Sequence, residues 1–170
     1  MKQNGSYVLN FRGPALVGQQ LTFVHGKQFE GRTMALCFLP YAGLIAPDKA
    51  DHASEQFEFV GTTLVIVVSG AYPMHRLWSP HSEKPRTTIL ADPCGRLHRS
   101  FGVMDSQPSS RCRTFLIDRE GILRLRVTHD FIEQDLEAIR TIAGLSHHPS
   151  LRGNGTTEPA CNVHMEYLPV

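Results

Sequence analysis

Cysteine is the residue type in this chain with the most direct access to chemistry, because its thiolate is a strong nucleophile and metal ligand. The four cysteines stand apart, at Cys37, Cys94, Cys112 and Cys161. None belongs to a C-x-x-C pair, which excludes both a thioredoxin-type dithiol motif and a zinc ribbon. Four cysteines in 170 residues are also too few for a disulfide scaffold. The pattern favours free thiols in a reducing compartment.

Other metal-ligating residues lie near the end of the sequence, at His147, His148, Cys161 and His164. Cys161 and His164 are close enough in sequence to chelate one ion. Their spacing matches no established zinc site, however, and adjacent histidines are common in tails. The chain also lacks a G-x-S-x-G nucleophile elbow and a glycine-rich phosphate loop. We therefore predict no metal site and no cofactor.

Charge and hydropathy exclude two classes of partner. The 17 Lys and Arg residues against 16 Asp and Glu residues leave a formal charge of +1, so we expect neither a nucleic acid nor an anionic membrane as partner. No apolar run approaches the ~20 residues that cross a bilayer. Met1–Leu9 lacks the basic and then apolar order of a signal peptide. These features predict a cytoplasmic protein.

Strand-like and helix-like segments alternate along the chain, and two apolar segments give the strongest signals. Met34–Leu39 is a continuous apolar run before Pro40, and Thr62–Ser69 is rich in β-branched residues. Such runs are typical of strands buried on both faces of a sheet. Between them, Pro47–Val60 predicts an amphipathic helix with proline at its first position. We expect the two strands to pair in parallel through a right-handed helical crossover.

Turn and capping signals predict the remaining elements. The first 20 residues indicate little structure, and a D-x-x-E signature at Asp130 and Glu133 opens a last helix that stops at Gly144. Between these regions we predict a helix over Pro73–Ser79, a strand over Arg86–Ala91, a short helix burying Leu97 and Phe101, and a hairpin of Cys112–Ile117 with Ile122–Thr128. This order predicts an α/β domain over residues 1–145, with a mixed central sheet flanked by helices. Residues 146–170 form a tail, either flexible or docked as an arm.

Two motifs resemble those of a known family. Residues 92–103 follow the pattern D-P-x-G-x-x-x-x-x-F-G-V, and residues 114–121 follow T-F-L-I-D-x-x-G. Together with the apolar strand before Pro40 and the strand that closes on Val-Ser at 68–69, they resemble the peroxiredoxin (alkyl hydroperoxide reductase/thiol-specific antioxidant) family over about residues 20–145. The resemblance implies a thioredoxin-like fold of the peroxiredoxin type and a thiol-dependent antioxidant oxidoreductase.

The residues that this family uses for peroxide chemistry are mostly replaced. The family pattern is P-x-x-x-T-x-x-C, with an arginine two residues before T-F; the arginine and the helix N-terminus lower the thiol pKa. Pro40 matches the pattern, but Leu44, Pro47 and Cys112 stand at the threonine, cysteine and arginine positions. Cys37 lies within the strand and cannot replace the nucleophile. We therefore predict negligible peroxide reduction by the ordinary route.

Cys112 is the strongest candidate for residual thiol chemistry, because the resemblance places it in the family's peroxide pocket. Arg111 and Arg113 flank it and can favour its thiolate, so these three residues form the candidate catalytic set. Neighbouring strand residues point to opposite faces, however, so Arg111 and Arg113 project away from the position of the family's arginine. In the alternative interpretation, Cys112 is a small residue that fills the space of the lost arginine. Cys94, in a turn before a helix, is either a reactive thiol or a tolerated turn residue.

The replacements at residues 44, 47 and 112 make the former peroxide pocket apolar. We expect this pocket to have collapsed, because protein interiors pack closely. An open pocket bordered by Tyr41, Trp78 and Phe115 would instead bind a small apolar ligand or a partner's side chain.

Two functions remain open on the sequence. The chain is either a thiol-dependent oxidoreductase with an altered site, served by a thiol reductant or a protein partner, or a catalytically inert thioredoxin-fold module for binding or assembly. A homodimer is compatible with both.

Overall fold

A mixed sheet forms the centre of the molecule. The computed structural model describes residues 4–18, 20–40, 44–69, 87–103, 111–129, 132–145 and 164–166. The strands are β1 (Arg12–Val17), β2 (Gln20–His25), β3 (Thr33–Leu39), β4 (Thr62–Ser69), β5 (Thr88–Asp92), β6 (Cys112–Ile117), β7 (Leu123–His129) and β8 (His164–Glu166). The helices are α1 (Pro47–Phe59), α2 (Arg96–Phe101) and α3 (Ile132–Leu145), and a 3-10 helix spans Gly26–Phe29.

The strand order is β2-β1-β5-β4-β3-β6-β7-β8. β3 and β5 pair in parallel with β4, whereas the remaining pairs are antiparallel. The predicted parallel pairing of the two apolar strands is confirmed, and α1 connects them. Every residue of β3 is buried, as a continuous apolar run at the centre of a sheet requires.

Each face of the sheet carries its own hydrophobic core. The α1/α3 core lies beneath α1 and α3 and includes Cys37, Phe57, Cys112 and Leu136. On the opposite face, the α2 core packs Phe38, Phe101 and Phe115 with residues of the N-terminal segment; all three rings are at most 1% exposed. The alternation of side chains along β3 and β6 divides neighbouring residues between the two cores. This division decides which residues can meet at a site.

The N-terminal region departs from the sequence-based prediction, because β1 forms where we predicted little structure. β1 contains Gly13 and Pro14, which weaken a strand signal. Pairing with the neighbouring strands stabilises β1. All six of its residues pair with β2, but only Ala15–Val17 pair with β5. Pro14 thus lies outside the part of β1 that bonds to β5, so its missing N–H interrupts no hydrogen bond on that side. Tertiary pairing overrides the local propensity here.

The other predicted elements agree closely with the structure, within the residues it describes. β5 is Thr88–Asp92 rather than Arg86–Ala91, and α3 ends at Leu145 rather than Gly144. The hairpin of β6 and β7 is confirmed, with antiparallel register from Cys112 opposite His129. The helix predicted over 73–79 and the capping residue at 130 lie outside the described residues, as does the tail apart from β8.

Candidate functional site

The N-terminus of α1 is the position at which the family resemblance places a nucleophile. α1 begins at Pro47, preceded by Ala46 in an extended conformation as the N-cap residue. Proline suits this first helical position, because the N–H that it lacks would have no partner within the helix. Leu44 is partly buried and packs against the α1/α3 core. At positions 44 and 47 the chain therefore offers an alkyl chain and a proline ring, neither of which attacks or binds a peroxide.

Cys112 opens β6 and is fully buried, with 0% of its surface exposed. Its side chain belongs to the α1/α3 core, and its position on β6 is directly opposite His129 on β7. This burial agrees with a collapsed pocket rather than an open one. A solute reaches the Cys112 thiol only if the packing of this core opens.

The two arginines of the candidate set lie differently from Cys112. Arg111 precedes β6 and is exposed. Arg113 is partly buried, and its guanidinium donates a hydrogen bond to the carbonyl of Gly102 at the end of α2. The alternation along β6 thus directs Arg113 to the α2 side of the sheet and Cys112 to the α1/α3 side. This hydrogen bond gives Arg113 a role in holding α2.

Phe115 does not border the position of Cys112, and that expectation is wrong. Its ring packs in the α2 core, 5.4 Å from the ring of Phe38 and 4.9 Å from that of Phe101, centroid to centroid. The physical reason is that residues three apart on a strand point to opposite faces. Tyr41 and Trp78, the other two residues expected there, lie outside the described residues.

Cys37 is buried as a neutral thiol. It is 0% exposed, and it lies on β3 directly opposite Thr114 on β6. Burial raises the pKa of the Cys37 thiol to about 12, although a hydrogen bond from Thr114 acts to lower it. The residue therefore has no thiolate at neutral pH. This agrees with the expectation that Cys37 cannot replace the missing nucleophile.

A buried polar chain, which sequence reasoning missed, continues from Cys37 across the sheet. The Thr114 hydroxyl lies 3.0 Å from Nε2 of His129, and Nδ1 of His129 lies 3.5 Å from Oδ2 of Asp135 on α3. His129 is 1% and Asp135 8% exposed. The only sequence signal was a histidine ending an alternating strand. We call these four residues the Cys37–Asp135 chain; it joins β3, β6, β7 and α3.

Cys94 has the opposite environment to Cys37 and Cys112, since it is exposed in the turn before α2. Nη2 of Arg99 donates to the Cys94 carbonyl over 2.5 Å. Gly95, at φ +62°, adopts the left-handed conformation that starts α2 and that glycine favours. Among the cysteines within the described ranges, Cys94 alone presents its thiol to solvent.

Asp92 explains the D-P-x-G part of the family motif in structural terms. Its Oδ2 accepts a hydrogen bond from the backbone N–H of His98 and lies 2.8 Å from Nδ1 of the same residue. Desolvation acts to raise the pKa of Asp92, but hydrogen bonds from His98 and from the backbone of Leu97 outweigh it, and the pKa is lowered. Asp92 therefore anchors α2 rather than a ligand.

No three His, Cys, Asp or Glu side chains converge as a metal site in the part of the chain that the structure describes. Of the candidate ligands, His147, His148 and Cys161 lie outside it, and His164 lies in β8. The described helices are all too short or too polar to cross a membrane.

Similar proteins point to the family that the sequence motifs indicated. A thioredoxin peroxidase from Fasciola hepatica is 26% identical over 152 residues, covering 82% of this chain and 78% of that protein. AhpC from Enterococcus faecalis superposes with a TM-score of 0.74 at 19% identity, over 93% of this chain and 100% of that one. The reduced 2-Cys peroxiredoxin of Plasmodium vivax gives 0.72 at 20% identity, over 87% and 84%. No protein-family profile matches the sequence.

These similarities confirm two predictions. The chain is peroxiredoxin-like, and its fold is the thioredoxin-like fold of the peroxiredoxin type, with a mixed sheet flanked by helices.

Proposed function

We propose that this peroxiredoxin-like chain does not reduce peroxides by the family's ordinary route and that its scaffold serves as a binding or assembly module. The observation that carries the proposal is Pro47 at the first position of α1, where the family resemblance places the peroxidatic cysteine. A proline offers no nucleophile, and neighbouring groups cannot replace the attacking atom itself. The partner of such a module is another protein or a second copy of this chain.

The buried thiols support this proposal. Cys37 and Cys112 are both 0% exposed, and Cys37 keeps its proton at neutral pH because burial raises its pKa to about 12. A peroxidatic thiol needs both a thiolate and an approach for the peroxide. Neither residue meets these requirements in the folded state.

A second candidate function is thiol-dependent oxidoreduction through Cys112, with Arg111 and Arg113 as supporting cations. The observation in its favour is the position of Cys112 at the family's arginine position, directly opposite His129 on β7. This function requires the α1/α3 core to open and a thiol reductant to regenerate the cysteine. A cytoplasmic location, which suits either function, stays a prediction from the charge balance, the shortness of the apolar runs and the sequence of Met1–Leu9.

The experiment compares peroxide consumption by the full chain and by two variants, with dithiothreitol or a thioredoxin system as donor. We expect the wild type and Cys112→Ser to be indistinguishable, and both to be on the order of 10³-fold or more below an ordinary peroxiredoxin. The variant Leu44→Thr/Pro47→Cys restores the hydroxyl and the thiol at the start of α1. A gain of peroxide turnover in that variant supports the proposal that the chain lacks this activity because proline replaces the nucleophile at position 47. Rapid wild-type turnover that Cys112→Ser abolishes would instead establish the second candidate.

A further inference from the structure

A groove runs between α1 and α3, on the face of the molecule above the α1/α3 core. It encloses about 400 Å³ and is lined from both helices. Small-molecule sites in proteins usually enclose about 300–1,000 Å³. The groove is therefore large enough for a small ligand, although not for a folded partner.

The floor of the groove is apolar. Ile45 and Phe57 contribute from the α1 side and Leu136 from α3, and they are 4%, 1% and 3% exposed. All three belong to the α1/α3 core, so the groove leads directly onto close-packed hydrocarbon. Because these three side chains are already almost fully buried, the surface that an apolar group removes from water includes that of the half-buried Ala53, which also lines the groove.

The rim of the groove is positively charged. Lys49 and Arg140 carry permanent charges, and His52 adds an imidazole, whereas Glu137 is the carboxylate in the lining. Nη2 of Arg140 lies 3.6 Å from Oε1 of Glu137, but the Glu137 side chain is 74% exposed. An ion pair this open to water is weak, so Arg140 can exchange it for a better partner. The sequences of α1 and α3 hold seven Asp and Glu residues against Lys49 and Arg140, so the positive character is confined to the rim, where Glu137 is the acidic residue in the lining.

We propose that the α1–α3 groove binds a small molecule with an apolar body and one carboxylate. The apolar body lies on Ile45, Phe57 and Leu136, and the carboxylate accepts hydrogen bonds from Arg140 and Lys49 at the rim. Arginine suits this role because its planar guanidinium can bind both carboxylate oxygens at once. Such binding does not depend on the loss of peroxide reduction, because none of these side chains belongs to the candidate catalytic set.

Octanoate is the probe, and its binding to the full chain is measured by isothermal titration calorimetry beside that of 1-octanol. We expect saturable binding of octanoate, weakened about tenfold or more by Arg140→Gln, because a hydrogen-bonded charge pair is lost. Arg32→Gln is the matched control: Arg32 is exposed and lies outside the groove, so octanoate binding should not change. 1-Octanol should bind more weakly than octanoate, and neither Arg140→Gln nor Arg32→Gln should change its affinity appreciably.

A second variant tests the position of the ligand. Ala53 is half-buried on α1 and lines the groove, so Ala53→Trp should fill the space and abolish octanoate binding. Amide chemical shifts of the wild type provide the same test without a substitution, since octanoate should perturb residues 45–57 and 134–140. Absence of saturable binding, equal affinity for octanol, or shifts confined to another part of the chain would overturn the proposal. The peroxide assay gives a separate readout, so failure of either proposal is recognised independently.

Discussion

The two faces of the sheet differ in what they bury. The α1/α3 core holds two thiols, Cys37 and Cys112, and the Cys37–Asp135 chain runs along its side of β3 and β6. The α2 core holds packed aromatic rings instead: Phe38 lies edge-on to Phe115, with centroids 5.4 Å apart. The exposed thiol, Cys94, lies in the turn that leads to α2. The α1/α3 core thus buries both of its thiols, whereas Cys94, the exposed thiol among the described cysteines, lies beside the α2 core.

This difference shows what the family motifs encode. Phe101 and Phe115, from the F-G-V and T-F-L-I-D motifs, pack against each other in the α2 core. Asp118 accepts hydrogen bonds from the backbone N–H groups of Glu120 and Ile122 and so closes the β6–β7 turn. The surviving motifs thus hold the fold together, whereas residues 44, 47 and 112 stand where the family resemblance places the groups that act on peroxide. We propose that the structural and the chemical parts of the family pattern have separated in this chain.

Thiol accessibility should show the largest difference between the two faces. We expect iodoacetamide to alkylate Cys94 in the native protein on the order of 10³-fold or more faster than Cys112 or Cys37, because core residues react only through openings that cost several kcal/mol. Rates at each cysteine are read by peptide mass spectrometry. In denaturant the three cysteines should react alike. Equal native rates for Cys94 and Cys112 would remove the contrast between the faces.

Removing a ring from the α2 core should cost the most stability. Phe38 is 0% exposed and touches three other aromatic rings, so Phe38→Ala should lower the free energy of unfolding by about 3–5 kcal/mol. Phe59→Ala is the matched control, since Phe59 is 87% exposed, and we expect a change within about 0.5 kcal/mol. Urea denaturation measures both. A similar loss in the two variants would contradict the packing described for this face.

The Cys37–Asp135 chain should contribute less, but measurably. Thr114→Val keeps the shape of the side chain and removes the hydroxyl that bonds to Cys37 and His129, which should cost about 1–3 kcal/mol. Thr22→Val, on the exposed surface of β2, should leave the stability nearly unchanged. The same urea titration compares them. A Thr114→Val protein as stable as the control would show that the chain contributes nothing to folding.

The smallest expected effect is on the pH dependence of stability beside the α2 core. The folded pKa of Asp92 is lowered, so its stabilising contribution is present above the ordinary carboxyl pKa of about 3.9 and is lost as pH falls through the lowered folded value. In the acid range, the free energy of unfolding of Asp92→Asn should therefore vary less steeply with pH than that of the wild type. The difference in stability between the two proteins should become smaller as the pH falls. Glu55→Gln, at an exposed position in the middle of α1 and away from the helix N-terminus, is the control. Parallel pH profiles for wild type and Asp92→Asn would contradict the anchoring role.

The sequence predicted the central sheet because its signals there are local. Met34–Leu39 and Thr62–Ser69 are continuous apolar runs, and such runs identify buried parallel strands without knowledge of their neighbours. β1 could not be predicted in this way, because Pro14 is acceptable only once the extent of pairing with β5 is known.

The candidate site was less predictable for a similar reason. Sequence identified Cys112 and the replacement at Pro47, but the contact of His129 with Thr114 and Asp135 depends on the register of β6 with β7 and on how α3 packs. The prediction that Phe115 borders the pocket at Cys112 was wrong, because the family resemblance indicates which residues lie near the pocket but not the face of the sheet on which the Phe115 side chain lies. Strand register and the face to which a side chain points depend on tertiary structure, so they are difficult to predict from a single sequence.

The most direct test of the central claim is to map where peroxide oxidises the native chain. The protein is mixed with an equimolar amount of hydrogen peroxide, sulfenic acid is trapped with dimedone, and each cysteine is read by peptide mass spectrometry. If the ordinary peroxidatic centre is lost, Cys37 and Cys112 should carry no adduct, and Cys94 should acquire one only at the slow rate of an ordinary exposed thiol. Rapid, stoichiometric labelling of Cys112 would contradict this claim and identify it as the nucleophile.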